Sequence, residues 1–233
     1  RGPGVTLKIV SDKRTGFQMA GPKAAEVLQA CTTANVADIK CLDVKELVVG
    51  ATACLVQQVS YTGDHGFELY CDPMAQRALW DRLWEAGKPH GMTPFGMRAM
   101  MSLRLDRFFG SWLSEFSPDY TAAETGLDRF IAFRKNVDFI GRSAAEVERL
   151  TPPERQLVIF EVDAHDADAV AYEPVFINGT VQGFCTSGGY SHHAEKSIAF
   201  ALVPRAKVTD DLQAEIEILG QLRPAKRLLE PLL

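Results

Sequence analysis

No stretch of this sequence concentrates positive charge. Its 25 Lys+Arg are outnumbered by 30 Asp+Glu, for a net charge of −5, and they are scattered along the chain. A surface that binds nucleic acid by releasing counterions needs clustered cations, so DNA and RNA are not expected partners. Long apolar runs are missing too. Nothing approaches the ~18 to 20 residues that span a bilayer, and the first residues lack the charged-then-apolar layout of a signal peptide, so no membrane partner is expected. Cysteine is sparse: Cys31, Cys41, Cys54, Cys71 and Cys185 form an odd set with no CxxC pair. Such a set fits reduced thiols in a cytoplasmic compartment, packed as small hydrophobes, better than a disulfide or zinc framework. Also absent are a Walker loop, a GxGxxG after the first strand, a GxSxG elbow and an HExxH pair, which removes the apparatus of nucleotide, hydrolase and metalloprotease chemistry. The chain opens on Arg1 instead of methionine, as expected of a sequence shortened by processing or cut from a longer one.

What is present is a chain of 233 residues, 46% of them hydrophobic, enough for one large domain or two small ones. Residues 5–10 (VTLKIV) and 15–20 (TGFQMA) read as two strands joined by a polar turn. Pro22 follows as a first helical residue leading into AAEVLQAC. Residues 52–60 and 67–71 are the next strands, separated by Tyr61-Thr62-Gly63-Asp64-His65-Gly66, whose glycines can take positive φ. A helical period over 73–87 includes Trp80 and Trp84 as packing residues. A further helix is expected from Thr93-Pro94 to about Asp106, interrupted by Arg98 and Arg104. After an irregular aromatic segment, Ser143-Ala-Ala-Glu146 reads as a capping box that opens a short helix before Pro152-Pro153. That double proline marks the expected boundary between domains 1–150 and 151–233. Beyond it, 156–162, 174–177, 180–185, 197–203 and 213–219 are short strands with turn signals at Asn178-Gly179 and Gly188-Gly189, the pattern of a small β-barrel. The expected class is α+β.

Candidate chemistry is thin. His192-His193 are adjacent on an extended segment, where side chains point to opposite faces, and Asp163, His165, Asp166 and Asp168 lie in a polar link, so no metal site is expected. Tyr61, Glu68 and Arg98 remain. A carboxylate between Phe67 and Leu69 must, if it faces inward, find donors or protonate, because an unpaired buried charge is costly. A solvent-facing glutamate, an internal ion pair with Arg98 or Arg104, and a ligand offering two parallel N–H groups would each satisfy it.

The ordered set AGPKAAEVLQA (20–30), YTGDHGFELY (61–70), ALWDRLWEAGKPHGMTPFGMRAMMSLRLD (78–106), ETGLDRF (124–130), DFIGR (138–142) and TSGGYSHHAEKSIAFALV (186–203) resembles the glycine-cleavage T-protein (aminomethyltransferase) superfamily. The wording FFGSWLSEFSP followed by GLDRF is similar to the tetrahydrofolate-binding C-terminal region of dimethylglycine and sarcosine dehydrogenases. The resemblance implies a folate-binding α/β body followed by a C-terminal barrel. It also implies that Tyr61 and Glu68 hold the pterin of tetrahydrofolate, and that Arg98 lines the folate site or steadies Glu68. The carboxylate chemistry suits this, since two roughly parallel N–H groups match two carboxylate oxygens. Asp64 stands where the family usually has Glu, Ala20 where it has Gln, and Asp106 where it has Glu. The catalytic aspartate of the family lies in an N-terminal segment that this chain does not match, so no catalytic residue is assigned, and neither Asp64 nor Asp119 replaces it. A dehydrogenase parent would carry an upstream flavin (FAD) domain that oxidises an N-methyl group and passes the carbon to folate. A non-catalytic folate sensor or scaffold, and a free aminomethyltransferase, stay open, as does the identity of the amine donor.

Overall fold

The computed structural model describes residues 4–233 and divides into two compact units, the first ending at Gly96 and the second spanning Met97–Leu233. The first is built on a four-stranded antiparallel sheet of β1 (Thr15–Ala20), β2 (Val44–Val49), β3 (Thr52–Gln58) and β4 (Gly66–Cys71), in the order β1-β4-β3-β2. One face packs beneath α1 (Ala24–Gln29) and α2 (Gln76–Gly87). Met19, Cys54, Val56, Phe67 and Leu69 from the strands meet Val27, Leu28, Leu79 and Leu83 from the helices in one apolar cluster. Alternation along β4 follows, with Phe67, Leu69 and Cys71 buried while Glu68 and Tyr70 point the other way. Trp80 and Trp84 stack at 5.9 Å, and Trp80 also packs on Phe17.

Several local expectations are corrected here. Residues 5–10 form no strand. Val5, Leu7 and Ile9 are well exposed, and an apolar run becomes a strand only when a sheet edge pairs with it. Pro22 lies in a turn, and α1 starts two residues later, because the Gly21 amide donates to the His65 carbonyl at 2.9 Å and its own carbonyl receives the Ala24 amide at 3.1 Å. The edge strand β2 was not anticipated from its charged, weakly alternating sequence VKELVV.

In the second unit, α3 (Met97–Leu103) begins four residues after Thr93 and tightens into a 3-10 turn over Arg104–Arg107. The short α4 (Ala122–Thr125) follows. The capping box falls here and not at Ser143: Thr121 Oγ1 accepts from the Glu124 amide and Glu124 Oε2 from the Thr121 amide. Helix α5 (Arg142–Leu150) has already started when Ser143 is reached, and Glu146 is occupied by Arg142 at 2.8 Å. The remaining strands, β5 (Arg155–Val162), β6 (Pro174–Ile177), β7 (Thr180–Ser191), β8 (Lys196–Pro204), β9 (Gln213–Ile218) and β10 (Gln221–Leu228), close an antiparallel barrel in the order β10-β5-β8-β7-β6-β9.

Asn178 and Gly179, at φ +54° and +74°, make the expected two-residue turn between β6 and β7. Gly188 and Gly189 do not form a turn. They lie within β7, where a Cβ on Gly188 would stand 2.4 Å from the Ala169 carbonyl oxygen, so glycine is needed for close approach. β8 is buried on both faces. Ala199, Ala201 and Val203 fill the barrel, while Ile198 and Phe200 are covered from outside by Leu105 and Phe108, which explains its unbroken apolar run. The 97–150 segment packs on the barrel within this unit, α3 and the 104–107 turn against β7 and α4 against β5.

Candidate functional site

Strand register decides where Glu68 points. It lies opposite Gln18 on β1 and Gln57 on β3, and directly opposed residues share a face, so a polar row crosses three strands on the side away from the helices. The half-buried Glu68 is therefore not a packing residue, despite standing between Phe67 and Leu69. Gln18 Nε2 donates to its Oε1 at 3.0 Å and the Tyr70 hydroxyl donates to its Oε2. The bond to Glu68, then burial, then the carboxylate's charge push the Tyr70 phenol up to about 12. Each Glu68 oxygen accepts one bond in this arrangement, and an ionised carboxylate has about four lone-pair sites, so capacity for further donors remains.

Tyr61 belongs to the turn between β3 and β4. Gly63 takes φ +83° there, but Gly66 does not have positive φ. A Cβ on Gly66 would lie 2.8 Å from the Met19 carbonyl oxygen and 2.9 Å from Ser60 Cβ, so this glycine lets the turn close against β1. The half-buried Tyr61 lines a niche of about 10 Å3 with Gln18, Thr62 and Phe67. Gln18 is thus the neighbour shared by Tyr61 and Glu68, touching the niche on one side and the carboxylate on the other. The niche holds no more than a water. His65 bonds Gln58 at 2.6 Å and sets its ring edge against Phe67, while Asp64 is exposed.

Arg98 is placed in the second unit, on α3, and is exposed. It lines a cavity of about 310 Å3 with Ser102, Asp106, His192 and His193. Arg104, three residues into the same SLRLDR run as Asp106, is 1% exposed and fully engaged. Its guanidinium donates to the Phe109 carbonyl at 2.8 Å, Ser187 Oγ at 2.6 Å and Glu115 Oε2 at 3.3 Å, and lies 4.8 Å from the Phe200 ring centroid. Glu115, entirely buried, also accepts from the Ser111 amide at 2.8 Å, Ser114 Oγ at 2.7 Å, Thr186 Oγ1 at 2.6 Å and Ser187 Oγ at 2.5 Å. Burial is the largest influence on this carboxyl and raises it. Arg104's charge and the bonds from Ser187, Thr186 and the Ser111 amide outweigh burial and hold the group below its usual range.

Sequence reasoning missed the Arg104–Glu115 pair. Its available signal was a glutamate in an otherwise aromatic segment, FFGSWLSEFSP, that needed a buried cation.

The acidic link is more tied down than a free loop. Asp166 holds Arg223 at 2.7 and 2.9 Å, and Asp168 accepts from Ser197 at 2.8 Å. Among the described residues, no group of three or more His, Cys, Asp or Glu is placed to hold a metal, and no helix is long and apolar enough to cross a membrane. Cys41 is exposed; the other four cysteines are buried, and burial pushes Cys54 up to about 11 and Cys185 to about 12.

Comparison with known proteins fits this architecture. Residues 1–135 match the GCVT N-terminal domain and residues 155–233 the glycine cleavage T-protein C-terminal barrel domain. Human mitochondrial dimethylglycine dehydrogenase is 36% identical over 230 residues, which cover 98% of this chain and 27% of that protein. An aminomethyltransferase from Geobacillus sp. (strain WCH70) is 32% identical over 228 residues, covering 97% of this chain and 62% of its own length. The chain thus spans about a quarter of the dehydrogenase relatives and under two thirds of the aminomethyltransferases. The crystal structure of glycine cleavage system aminomethyltransferase T from Bartonella henselae shares the fold, with a TM-score of 0.72 at 17% identity over 96% of this chain and 85% of that one. The two matched domains account for nearly all of the sequence, and the chain belongs to the glycine cleavage T-protein family.

Proposed function

We propose that this chain is the tetrahydrofolate-binding, one-carbon-transfer region of a larger enzyme, a flavin-linked dehydrogenase that demethylates an amine such as dimethylglycine or sarcosine. The observation that carries the proposal is the Glu68 carboxylate. It stands on the sheet face away from the helices, fixed by Gln18 and Tyr70, with acceptor capacity left over. A pterin offers a ring N–H beside an exocyclic amino group, and a carboxylate is the side chain that accepts from both at once. Tyr61 lines a niche together with Gln18, the residue that donates to Glu68, and supplies an aromatic ring for the pterin. The chemistry of these residues suits the group: a carboxylate with free acceptor capacity and an aromatic ring.

In this reading Glu68 binds and orients the pterin, Gln18 and Tyr70 keep the carboxylate from rotating, and Tyr61 packs against the ring. When bound, tetrahydrofolate supplies N5 as the acceptor of the one-carbon unit. The chain contributes position and exclusion of water, which hold the acceptor next to the donor and limit loss of the carbon as formaldehyde. Oxidation of the donor belongs to a flavin domain of the parent, outside this sequence. The domain division at Pro152-Pro153 is part of the same proposal: a folate-binding body, 1–150, and the barrel domain, 151–233.

Anaerobic calorimetric titration with tetrahydrofolate tests the reading. Saturable binding by the chain, weakened about tenfold or more in Glu68→Gln, is expected. Equal affinity in the two proteins would remove Glu68 from the site.

A further inference from the structure

Residues 127–150 are held in a defined shape but bury none of their side chains. Large apolar residues recur through the stretch all the same, and Phe130, Val137, Ile140, Val147 and Leu150 stand among the most exposed in the chain. A surface helix ordinarily turns its apolar residues inward and its charges out. In α5 the side chain drawn in is Arg142, 25% exposed, which donates to the carbonyls of Phe133 at 3.2 Å and of Lys135 and Val137 at 2.9 Å, and to Glu146 at 2.8 Å. Val147 and Leu150 are left 64% and 85% exposed, and Ile140, just before the helix, is fully exposed. Beside them α4 and α5 border a wide groove of about 650 Å3, lined chiefly by small and apolar side chains such as Ala122, Ile131, Ala144, Ala145 and Val147. Single exposed apolar residues need no explanation, whereas a set of them on one fixed element marks an interaction surface. Arg142 fixes the 133–142 loop through its backbone carbonyls, so the face is presented ready-made without a core behind it.

We infer that this face is an interface inside the parent polypeptide, and that its occupant is an apolar layer of the parent's own chain lying outside the present sequence. Both kinds of relative have chain to supply it. The present sequence spans 27% of human dimethylglycine dehydrogenase and 62% of the Geobacillus aminomethyltransferase, so more than a third of even the shorter protein lies outside the match. That is enough chain for a separate compact body. The face also falls at a junction: the N-terminal domain match stops at residue 135 and the barrel match starts at 155, so Ile140 and all of α5 belong to neither matched domain. A second copy of this chain is the competing occupant, and it would leave the face bare in dilute solution. The inference rests on the larger parent proposed above and does not depend on folate.

Hydrogen exchange read by mass spectrometry, on this chain and on the full-length parent in parallel, tests the interface. Peptides covering 139–150 should exchange about tenfold or more slowly in the parent than in this chain, while peptides from β8 exchange equally in both. Ile140→Lys and Leu150→Glu should each leave the Tm of this chain within about 2 °C, as exposed substitutions do, but lower the Tm of the parent and return 139–150 to fast exchange. Equal exchange of 139–150 in the two unsubstituted proteins would overturn the inference, whether or not either variant folds. So would protection that grows in this chain alone as its concentration rises, because the occupant would then be a second copy. Protection of 139–150 in a parent that binds no folate would support the interface while removing the folate reading.

Discussion

Replacing Glu115 with glutamine changes one atom's chemistry at the most densely bonded point of the second unit. Five donors converge on the carboxylate: Arg104, the Ser111 amide, and the hydroxyls of Ser114, Thr186 and Ser187. A glutamine amide cannot accept at both ends. With its NH2 at the Oε2 position it would face the Ser111 amide and Arg104, two donors that cannot turn round. With its NH2 at the Oε1 position it would face Thr186 and Ser187, whose hydroxyls can rotate to accept, so the variant adopts this orientation. The Arg104 guanidinium then remains buried without a counter-charge. Breaking one side of a buried pair costs about 3–5 kcal/mol, and a chain of this size loses roughly 2–4 °C in Tm per kcal/mol, giving a drop of ~6–20 °C. Thermal unfolding at pH 7 measures it.

The pH dependence carries the sign. Because the folded carboxyl is held below its usual range, its contribution is complete above the unfolded carboxylate value near ~4.3 and is lost as pH falls through the lower folded value. The gap between parent and Glu115→Gln should therefore narrow in acid. A Tm within 2 °C of the parent at pH 7, or a gap that widens in acid, would refute this account of the network.

Three smaller predictions follow from the geometry. Gly66→Ala forces a Cβ to within 2.8 Å of the Met19 carbonyl oxygen and should cost ~1–3 kcal/mol, read by urea unfolding. Gly188→Ala meets the Ala169 carbonyl oxygen at 2.4 Å and should be at least as damaging, which the same assay checks. The Tyr70 phenol should titrate near pH 12 and move down toward its ordinary value of 10.0 in Glu68→Gln, followed through its ring resonances.

The barrel was the most legible part of the sequence. Its strands are bounded by local punctuation such as Asn178-Gly179, and alternation is strong because one face fills a closed interior. β10 was missed because Pro224 interrupts QLRPAKRL. Pro224 is tolerated because its carbonyl accepts from the Asp163 amide and pairing with β5 begins only at Ala225. Residues 5–10 misled in the opposite way: their pattern is strand-like, but pairing is a tertiary event that local sequence does not encode. At the candidate site, the family motif singles out Tyr61 and Glu68, and the structure shows what surrounds them. The supporting Gln18 and Tyr70 were invisible, since Gln18 meets Glu68 only through the β1–β4 register, fifty positions away in sequence. Arg104 and Arg98 looked alike as polar interruptions of one helix. Burial separates them: Arg104 is locked into the barrel-side network and Arg98 faces an open cavity.

The central claim is that the Glu68 carboxylate receives the pterin's amino and ring N–H groups. A double cycle tests it most directly, comparing tetrahydrofolate with its 2-desamino analogue on the parent chain and on Glu68→Ala by anaerobic calorimetry. The account predicts that removing the amino group costs the parent about tenfold in affinity and costs Glu68→Ala almost nothing, so that the two changes are coupled. Equal losses in both proteins would show that the amino group finds its partner elsewhere and would contradict the account.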